Sequence, residues 1–276
     1  MGARRLAVAE EAVIVDERRQ AGPRRLHLTG IDQEETILLL YPPSKDDKTR
    51  EILFIRKSDN HTKVWEGEKL SKKQANELSG INNICYIEDF KDVLSSIATE
   101  VDTFYINKNE HYRANSPVET REDRFISWLL KKYPAHNVAK SNPILQRQRS
   151  IKHPDEIDQI KKACNITRKG FNRVLEFIKP NVWEYEIEAE FIHEFINNSS
   201  KGFAYSPIIA SGNDNNVLHY IKNNKQCKSG ELILMDVGAE YGNYSSDMTR
   251  TVPVSGKFSK RQKQVYNAVL RVKNEA

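Results

Sequence analysis

The first half of the chain shows short apolar runs that alternate with stretches of helical spacing. The apolar runs predict buried strands at Thr36–Tyr41, Glu51–Arg56, Ile84–Ile87 and Thr103–Ile106. The stretches between and after these runs predict helices at Lys69–Leu78, Phe90–Thr99 and Arg124–Lys132, the last of which ends before Pro134. Strands that alternate with helices indicate an α/β domain with a mixed or parallel sheet.

The second half opens on helical patterns and indicates a separate α+β unit. Pro154 suits the first turn of a helix, where Asp155 and Glu156 are favourable near the positive end of the dipole. Apolar residues keep three-four spacing until Pro180, and a second helix is predicted at Glu184–Asn197. We therefore predict an amino-terminal α/β domain over residues 28–145 and a second domain over residues 150–276.

The last segments of the chain predict strands, a hairpin and a final helix. Ser206–Gly212 is predicted to be a strand that runs into a polar loop, and Val217–Tyr220 to be another strand. Leu232–Met235 is a continuous apolar run, typical of a buried strand, that delivers Asp236 out of the core. Ser259–Ala276 is predicted to be a helix capped by Ser259.

The pair Gly242-Asn243 predicts a two-residue hairpin turn that fixes which residues face each other. With this turn Asp236 lies opposite Thr249, and Asp247 lies opposite Gly238. Because side chains alternate with period two, the two aspartates share one face as diagonal neighbours, about 7–8 Å apart at the backbone. Two carboxylates at that spacing can close around a pair of metal ions about 3.5–4 Å apart.

A solvent-facing hairpin with scattered acidic residues is the alternative explanation. It fits Asp247, but it fits Asp236 badly, since a carboxylate that ends an apolar strand is costly to bury unless it is paired or bound to metal. The pattern favours a metal site.

Composition excludes several classes of protein. The chain has 276 residues, 38% of them hydrophobic, and a formal net charge of +5. The charges are interspersed, and no dense basic cluster with interleaved aromatic residues indicates nucleic-acid binding. No apolar run reaches the ~18 residues of a membrane span, and the amino end lacks the apolar region of a secretory signal. Three widely spaced cysteines, Cys85, Cys164 and Cys227, favour reduced thiols in the cytoplasm over a disulfide framework or a zinc site.

Residues 1–27 differ from the rest of the chain. They hold six arginines and no lysine, whereas the remainder holds 12 arginines and 25 lysines. We therefore treat residues 1–27 as an unmatched leader, either poorly ordered or foreign to the remainder of the chain, and exclude them from the predicted fold.

Four histidines need an interpretation. His61, His111 and His136 lie in polar segments, where a lone histidine is usually solvated. His219 follows two apolar residues just upstream of the aspartate hairpin. It is either a hydrogen-bonded core histidine or a group that holds a substrate carbonyl or stabilises the charge that develops there.

The stretch SGNDNNVLHY, followed by ELILMDVGAEYGNYSSDMTRTVPVSGKF, resembles the central signature of the pita-bread metallopeptidases, and within them aminopeptidase P, the Xaa-Pro aminopeptidases. The HPDEI helix start and the stretches LTGI, ETILLLYP and VWEGEKLSKKQA fit the same family. The resemblance covers about residue 28 to the end. It implies an α/β amino-terminal domain like that of creatinases and prolidases, followed by an incomplete α+β pita-bread catalytic domain.

The resemblance also implies a mechanism and site residues. Members of the family use two divalent metal ions, often manganese, for two-metal hydrolysis of a peptide whose second residue is proline, and they release the amino-terminal residue. Asp236 and Asp247 match two of the five metal ligands, and His219 matches a catalytic, substrate-binding histidine. The remaining ligands, one histidine and two glutamates, match no residue of this chain. We therefore expect a cytoplasmic metallopeptidase by descent, able to form a homo-oligomer, that is inactive as the isolated chain.

Three alternatives stay open. A prolidase that cuts only dipeptides shares the same hairpin. A non-catalytic pita-bread binding module that has lost its metals, and the metal-free creatinase, are both disfavoured because Asp236 and Asp247 are retained together.

Overall fold

The computed structural model describes residues 12–18, 28–42, 50–108 and 117–276, with the first of these segments described by its backbone alone. The chain divides into two compact units, one ending at Ile151 and the other starting at Lys152. No helix in the described ranges has the length and apolar character needed to cross a membrane.

The first unit is built on a six-stranded mixed sheet. Its strands are β1 (Ala12–Arg18), β2 (Thr36–Leu40), β3 (Glu51–Ile55), β4 (Asn83–Tyr86), β5 (Thr103–Ile106) and β6 (Asn137–Lys140). Their order across the sheet is β4-β3-β2-β1-β5-β6. The β1–β2 and β2–β3 pairs are antiparallel and the other three pairs are parallel, which confirms the predicted α/β domain with a mixed sheet.

Helices bury both faces of this sheet. The α-helices described in this unit are α1 (Asn60–Glu66), α2 (Lys72–Ser79), α3 (Phe90–Ala98), α4 (Arg121–Lys132) and α5 (Asn142–Ser150), and α2, α3 and α4 pack on the sheet. Leu39 and Phe54 pack on one face with residues of α3 and α4, whereas Leu38 and Leu53 pack on the other with Ala75 of α2. Burial on both faces explains why β2 and β3 appear in the sequence as continuous apolar runs rather than alternating ones.

The exclusion of residues 1–27 from the fold is wrong for Ala12–Arg18. Residues Ala12–Arg18 lie in the leader that the composition excludes from the fold, yet they form β1, which pairs with β2 and β5 near the middle of the sheet. The shift in composition concealed a short apolar strand, AVIV, followed by charged residues. Asn142-Pro143 begins α5, because proline is compatible with the first helical turn.

The histidines of this unit do not share one environment. His61 is exposed, as expected. His136 is not simply solvated: its Nε2 lies 2.8 Å from the backbone oxygen of Ala98, and its ring stacks on Phe104 at 5.0 Å between centroids. The prediction for His111 falls outside the described residues.

The second unit contains three α-helices, a 3-10 helix at Gly212–Asn216 and two small sheets. In chain order it has α6 (Pro154–Phe177), α7 (Glu184–Asn197), β7 (Ile208–Ser211), β8 (Leu232–Val237), β9 (Glu240–Tyr241), β10 (Tyr244–Ser245), β11 (Met248–Pro253) and α8 (Lys260–Glu275). The order β11-β8-β7 forms an antiparallel sheet, and β9 pairs with β10 in the hairpin tip. The α+β character predicted for this unit is confirmed.

Strand β8 separates a buried face from an open one. Ile233, Met235 and Val237 point into a core that includes Phe191 and Phe195 of α7. The intervening residues, Asp236 among them, are only partly buried. This alternation places Asp236 on the face of the sheet that the helices do not cover.

The final helix α8 begins as predicted. Ser259 is its N-cap, and the Ser259 hydroxyl accepts a hydrogen bond from the Gln262 amide at 3.3 Å. None of its residues is buried in the described structure, and Val269 is 63% exposed. Val265, Val269 and Val272 of α8 are therefore open to solvent.

Candidate metal centre

The hairpin has the register that its turn predicts. Tyr241 pairs with Tyr244, and Asp236 lies opposite Thr249. Gly242 and Asn243 both have positive φ angles, 57° and 63°. Two consecutive positive φ angles are the requirement of a type I′ turn, which suits Gly and Asn and matches the twist of the strands.

The two aspartate side chains converge on one hydroxyl group. The hydroxyl of Tyr205 lies 2.6 Å from Oδ1 of Asp236 and 3.1 Å from Oδ1 of Asp247, and hydrogen-bonds to both. Both carboxylates are thus on the same side of the hairpin, as the predicted register requires. Asp236 is partly buried and Asp247 is exposed, so the pair is open to a ligand from solvent.

Burial and hydrogen bonding keep the Tyr205 hydroxyl protonated. Burial, followed by the hydrogen bond to Asp236 and the charges of both aspartates, raises the pKa of the phenol well above its ordinary value. A protonated hydroxyl donates between two negative groups and so offsets part of their repulsion. Tyr205 therefore holds the two carboxylates together while leaving their other oxygens free to bind a cation.

The backbone hydrogen-bond ladder of the hairpin is interrupted between the two aspartates. No side chain fits at Gly238, because a Cβ there would lie 1.9 Å from the backbone oxygen of Ser246 and 3.1 Å from the Tyr205 ring. The ladder resumes through Ser246, whose amide donates to the backbone oxygen of Ala239 at 3.0 Å. The missing side chain at Gly238 is what lets the tyrosine ring approach the carboxylates.

Helix α6 contacts the hairpin from the core side at this interruption. The Thr167 and Ser246 hydroxyls lie 2.6 Å apart, and both accept from the Ala239 amide, at 2.8 and 2.9 Å. All three contacts are buried. A helix residue thus replaces the ladder bond that the strands fail to make beside Asp247.

His219 is not on a strand. The sequence predicts a strand at Val217–Tyr220, but this segment forms a turn in which His219 is exposed and Leu218 is 88% exposed. The apolar residues before His219 do not enter the core, so they gave a false signal of a buried strand. The interpretation of His219 as a core histidine is therefore wrong. Whether it contacts substrate stays a prediction.

The residues present fit a divalent metal ion in chemistry but are few. Carboxylate oxygens are the donors that hard cations such as Mn²⁺ prefer. Within the described ranges, no group of three or more histidine, cysteine, aspartate or glutamate side chains could hold a metal ion. The aspartate pair is therefore only part of a metal-ligand set, and His219 does not join it.

Two residues of the site carry no signal in the sequence. Tyr205 and Thr167 contact the aspartate hairpin from 31 and 72 residues away along the chain, measured to Asp236 and Ala239. Both are common residue types in unremarkable contexts, and no local pattern distinguishes them.

Comparisons with known proteins assign both halves of the chain. Residues 23–105 match the aminopeptidase P N-terminal domain, and residues 158–276 match metallopeptidase family M24. A Xaa-Pro aminopeptidase of Haemophilus influenzae is 31% identical over 253 residues, covering 91% of this chain and 55% of the relative. The chain thus spans about half the length of the curated relatives it matches.

Solved structures agree with the sequence matches. Proline aminopeptidase P II from Yersinia pestis superposes with a TM-score of 0.84 and 26% identity, covering 98% of this chain and 65% of that one. Zinc-substituted aminopeptidase P of Escherichia coli, in complex with product, gives a TM-score of 0.82 and 26% identity over 94% of this chain and 62% of that one. The second unit is accordingly an incomplete pita-bread domain. With an aminopeptidase P N-terminal domain, a metallopeptidase domain and these relatives, the chain belongs to the aminopeptidase P branch of metallopeptidase family M24.

Proposed function

We propose that this chain contributes part of the active site of a metal-dependent aminopeptidase, which releases the amino-terminal residue from peptides with proline in second position. The observation that carries the proposal is the convergence of Asp236 and Asp247 on the Tyr205 hydroxyl. Packing alone does not account for such a pair, because two unneutralised carboxylates at one point repel each other.

In this proposal Asp236 and Asp247 are metal ligands for two divalent ions, manganese by preference. Bound there, the ions supply Lewis-acid polarisation of the scissile carbonyl and a nucleophile at neutral pH, which is two-metal hydrolysis. Asp236 projects from the rigid end of β8, and the hairpin register fixes Asp247 beside it. Tyr205 keeps both side chains oriented.

His219 is proposed to contact the substrate near the scissile bond. Its ring is exposed in a turn that follows β7, the strand paired with β8. An imidazole N–H in this place can donate to a carbonyl oxygen and stabilise the charge that develops on it.

The isolated chain is expected to bind Mn²⁺ weakly and not to hydrolyse peptides. Divalent ions of this kind prefer about six oxygen or nitrogen donors. Among the described residues only two carboxylates come together at this site, so water would fill the remaining coordination positions of the ion. Binding that weak does not hold two ions at neutral pH.

The test is a chimeric protein that joins this chain to the remaining carboxy-terminal part of Escherichia coli aminopeptidase P. With Mn²⁺, the chimera should hydrolyse a fluorogenic Xaa-Pro tripeptide, whereas the 276-residue chain alone should not. Asp247→Asn should lower kcat/KM by about 10²–10³-fold, the size of losing one electrostatic stabiliser. Asp158→Asn, an exposed aspartate on α6, serves as the matched control and should change nothing.

The outcomes separate the competing functions. Cleavage of Xaa-Pro dipeptides but not tripeptides would favour a prolidase. A folded chimera that neither cleaves peptides nor binds Mn²⁺ would favour a non-catalytic binding module. Turnover by the chain alone, within about tenfold of the chimera, would show that two carboxylates suffice.

A further inference from the structure

Glu184, the first residue of α7, is a buried carboxylate that the proposed reaction does not use. Its side chain is 0% exposed. It faces the loop of residues 212–225, which connects β7 towards β8 and carries His219; we call this segment the His219 loop.

The Glu184 carboxylate contacts the last residue of β7 and two residues of the His219 loop. Oε1 of Glu184 accepts from the amide and the hydroxyl of Ser211, at 2.8 and 2.7 Å, where the loop leaves β7. Oε2 accepts from the Tyr220 hydroxyl at 2.7 Å, and from the Lys225 amide at 3.0 Å, where the loop ends. The four bonds therefore tie together both ends of the loop and the residue that comes directly after His219.

Burying this carboxylate has a cost that simple packing would avoid. A carboxylate taken out of water is strongly disfavoured unless donors replace its hydration. An apolar residue of similar volume often gives equal or greater stability at such a place. The benefit that fits Glu184 is geometric, because four donors from separate segments are held in one arrangement.

Tyr220 links the loop to the face that carries Asp236. Its ring packs with Ile208, Ala210 and Leu234. Ile208 lies directly opposite Asp236 in the β7–β8 ladder, so these side chains share one face of the sheet. Tyr220, the residue after His219, therefore anchors the loop on the face of the sheet that carries Asp236.

Two asparagines fix the flanks of the exposed turn. Asn215 continues the β7 ladder with its side chain, donating to the Leu232 oxygen at 3.0 Å and accepting from the Leu234 amide at 2.9 Å. Asn223 accepts from the Ile209 amide at 3.0 Å. Between these anchors only the segment around His219 projects into solvent.

We propose that Glu184 is a positioning residue for His219, and that it fixes the His219 loop on the Asp236 face of the sheet through Tyr220 and Ser211. The catalytic meaning of this position rests on the function proposed above. The positioning itself does not, and it can be measured without metal or substrate.

The experiment compares the 276-residue chain with Glu184→Gln. Glutamine keeps the shape of the side chain but places an amide group against the donors of Tyr220 and Lys225, or against those of Ser211. The matched control is Glu190→Gln on the same helix, where the carboxylate pairs with Arg173 and does not touch the loop. Backbone order parameters are measured by ¹⁵N relaxation, and amide exchange by mass spectrometry.

We expect the order parameter of the His219 amide to fall from the ~0.85 of rigid backbone to below ~0.6 in Glu184→Gln. Amide exchange across the His219 loop should accelerate about tenfold or more. The amides of β8 should keep their order, and Glu190→Gln should behave like the parent chain. Unchanged order at His219 in a folded Glu184→Gln variant would overturn the inference.

A milder variant covers the case in which Glu184→Gln does not fold. Tyr220→Phe removes one of the four bonds and keeps the ring in its packing. It should accelerate exchange around His219 about three- to tenfold, and no acceleration would overturn the inference. In the chimera, His219→Ala tests the proposed function separately: normal kcat/KM there would refute the substrate role of His219 and leave the positioning result untouched.

Discussion

Replacing Gly238 by alanine is the most direct test of how the aspartate hairpin is built. The added Cβ would lie 1.9 Å from the backbone oxygen of Ser246 and 2.7 Å from its carbonyl carbon. Backbone atoms cannot rotate away as a side chain can. The two strands must therefore separate by about 1 Å, a displacement that close-packed interiors do not absorb without losing contacts.

The magnitude is set by the bonds that this separation breaks. The Ser246 amide bonds the Ala239 oxygen, the Ala239 amide bonds the Ser246 hydroxyl, and the Ala204 amide bonds the Gly238 oxygen at 2.8 Å. At about 1 kcal/mol each, losing the three lowers the free energy of unfolding by about 3 kcal/mol. That is a large part of the roughly 5–15 kcal/mol that stabilises an ordinary domain.

The assay is urea unfolding of the 276-residue chain, combined with amide exchange at β8 and β11. Gly230→Ala is the control, since Gly230 has φ of 84° and no atom within 4 Å of an added Cβ. Its cost is the left-handed backbone alone, about 1–2 kcal/mol. If Gly238→Ala costs no more than Gly230→Ala, the hairpin relaxes around the new side chain and the close approach does not determine its shape.

Three further predictions concern other parts of the chain. A hydrogen bond to Glu100, with burial and the charge of that group, raises the pKa of Tyr41 to about 12. The phenol titrates near 10 when unfolded, so Tyr41 should lower the free energy of unfolding by up to about 3 kcal/mol between pH ~10 and ~12, and Tyr41→Phe should reduce the fall measured in urea titrations at about pH 9 and 11.5. Limited proteolysis should cut first between residues 135 and 155, and initial cleavage inside β3 or β8 would contradict the predicted boundary. Burial raises the pKa of Cys227 to about 11, so at about pH 8 a thiol reagent should label the exposed Cys164 within minutes and Cys227 only after unfolding, whereas equal rates would mean that the core opens readily.

The hairpin was predictable because its geometry is local. Gly242 and Asn243 set the turn, the turn sets the register, and the register sets which side chains share a face. Only neighbouring residues are needed to establish that geometry. Tyr205 could not be predicted, because its contact with Asp236 depends on how a distant segment of the chain folds back.

Strands were predictable in proportion to their burial. The residues of β2 are all buried, and its apolar run predicts it directly. The residues of β6 are mostly exposed, and its sequence, NVAK, carries no strand pattern. Strand β6 exists because β5 offers it a parallel partner, and pairing of that kind is a property of the assembled sheet.

At the turn around His219 the sequence predicts a strand that the structure does not contain. Val217 and Leu218 are apolar and precede a tyrosine that is buried, so the pattern favours a strand. In the structure both apolar residues are exposed, at 51% and 88%. Hydrophobicity predicts burial only where the backbone can bring the residue inward, and the anchors of the His219 loop hold these two residues outward.

The hydroxyl pair of Thr167 and Ser246 has a consequence for the order of folding. A two-residue hairpin forms in about 1–10 μs from contacts close in sequence. The Thr167 contact with Ser246 instead closes 79 residues of chain, and contacts of high sequence separation form slowly. The hairpin can therefore form early with its ladder interrupted, and Asp247 reaches its final place beside Asp236 only when helix α6 docks beneath it. A metal ion that meets the nascent hairpin before docking finds two carboxylates whose spacing is not yet set.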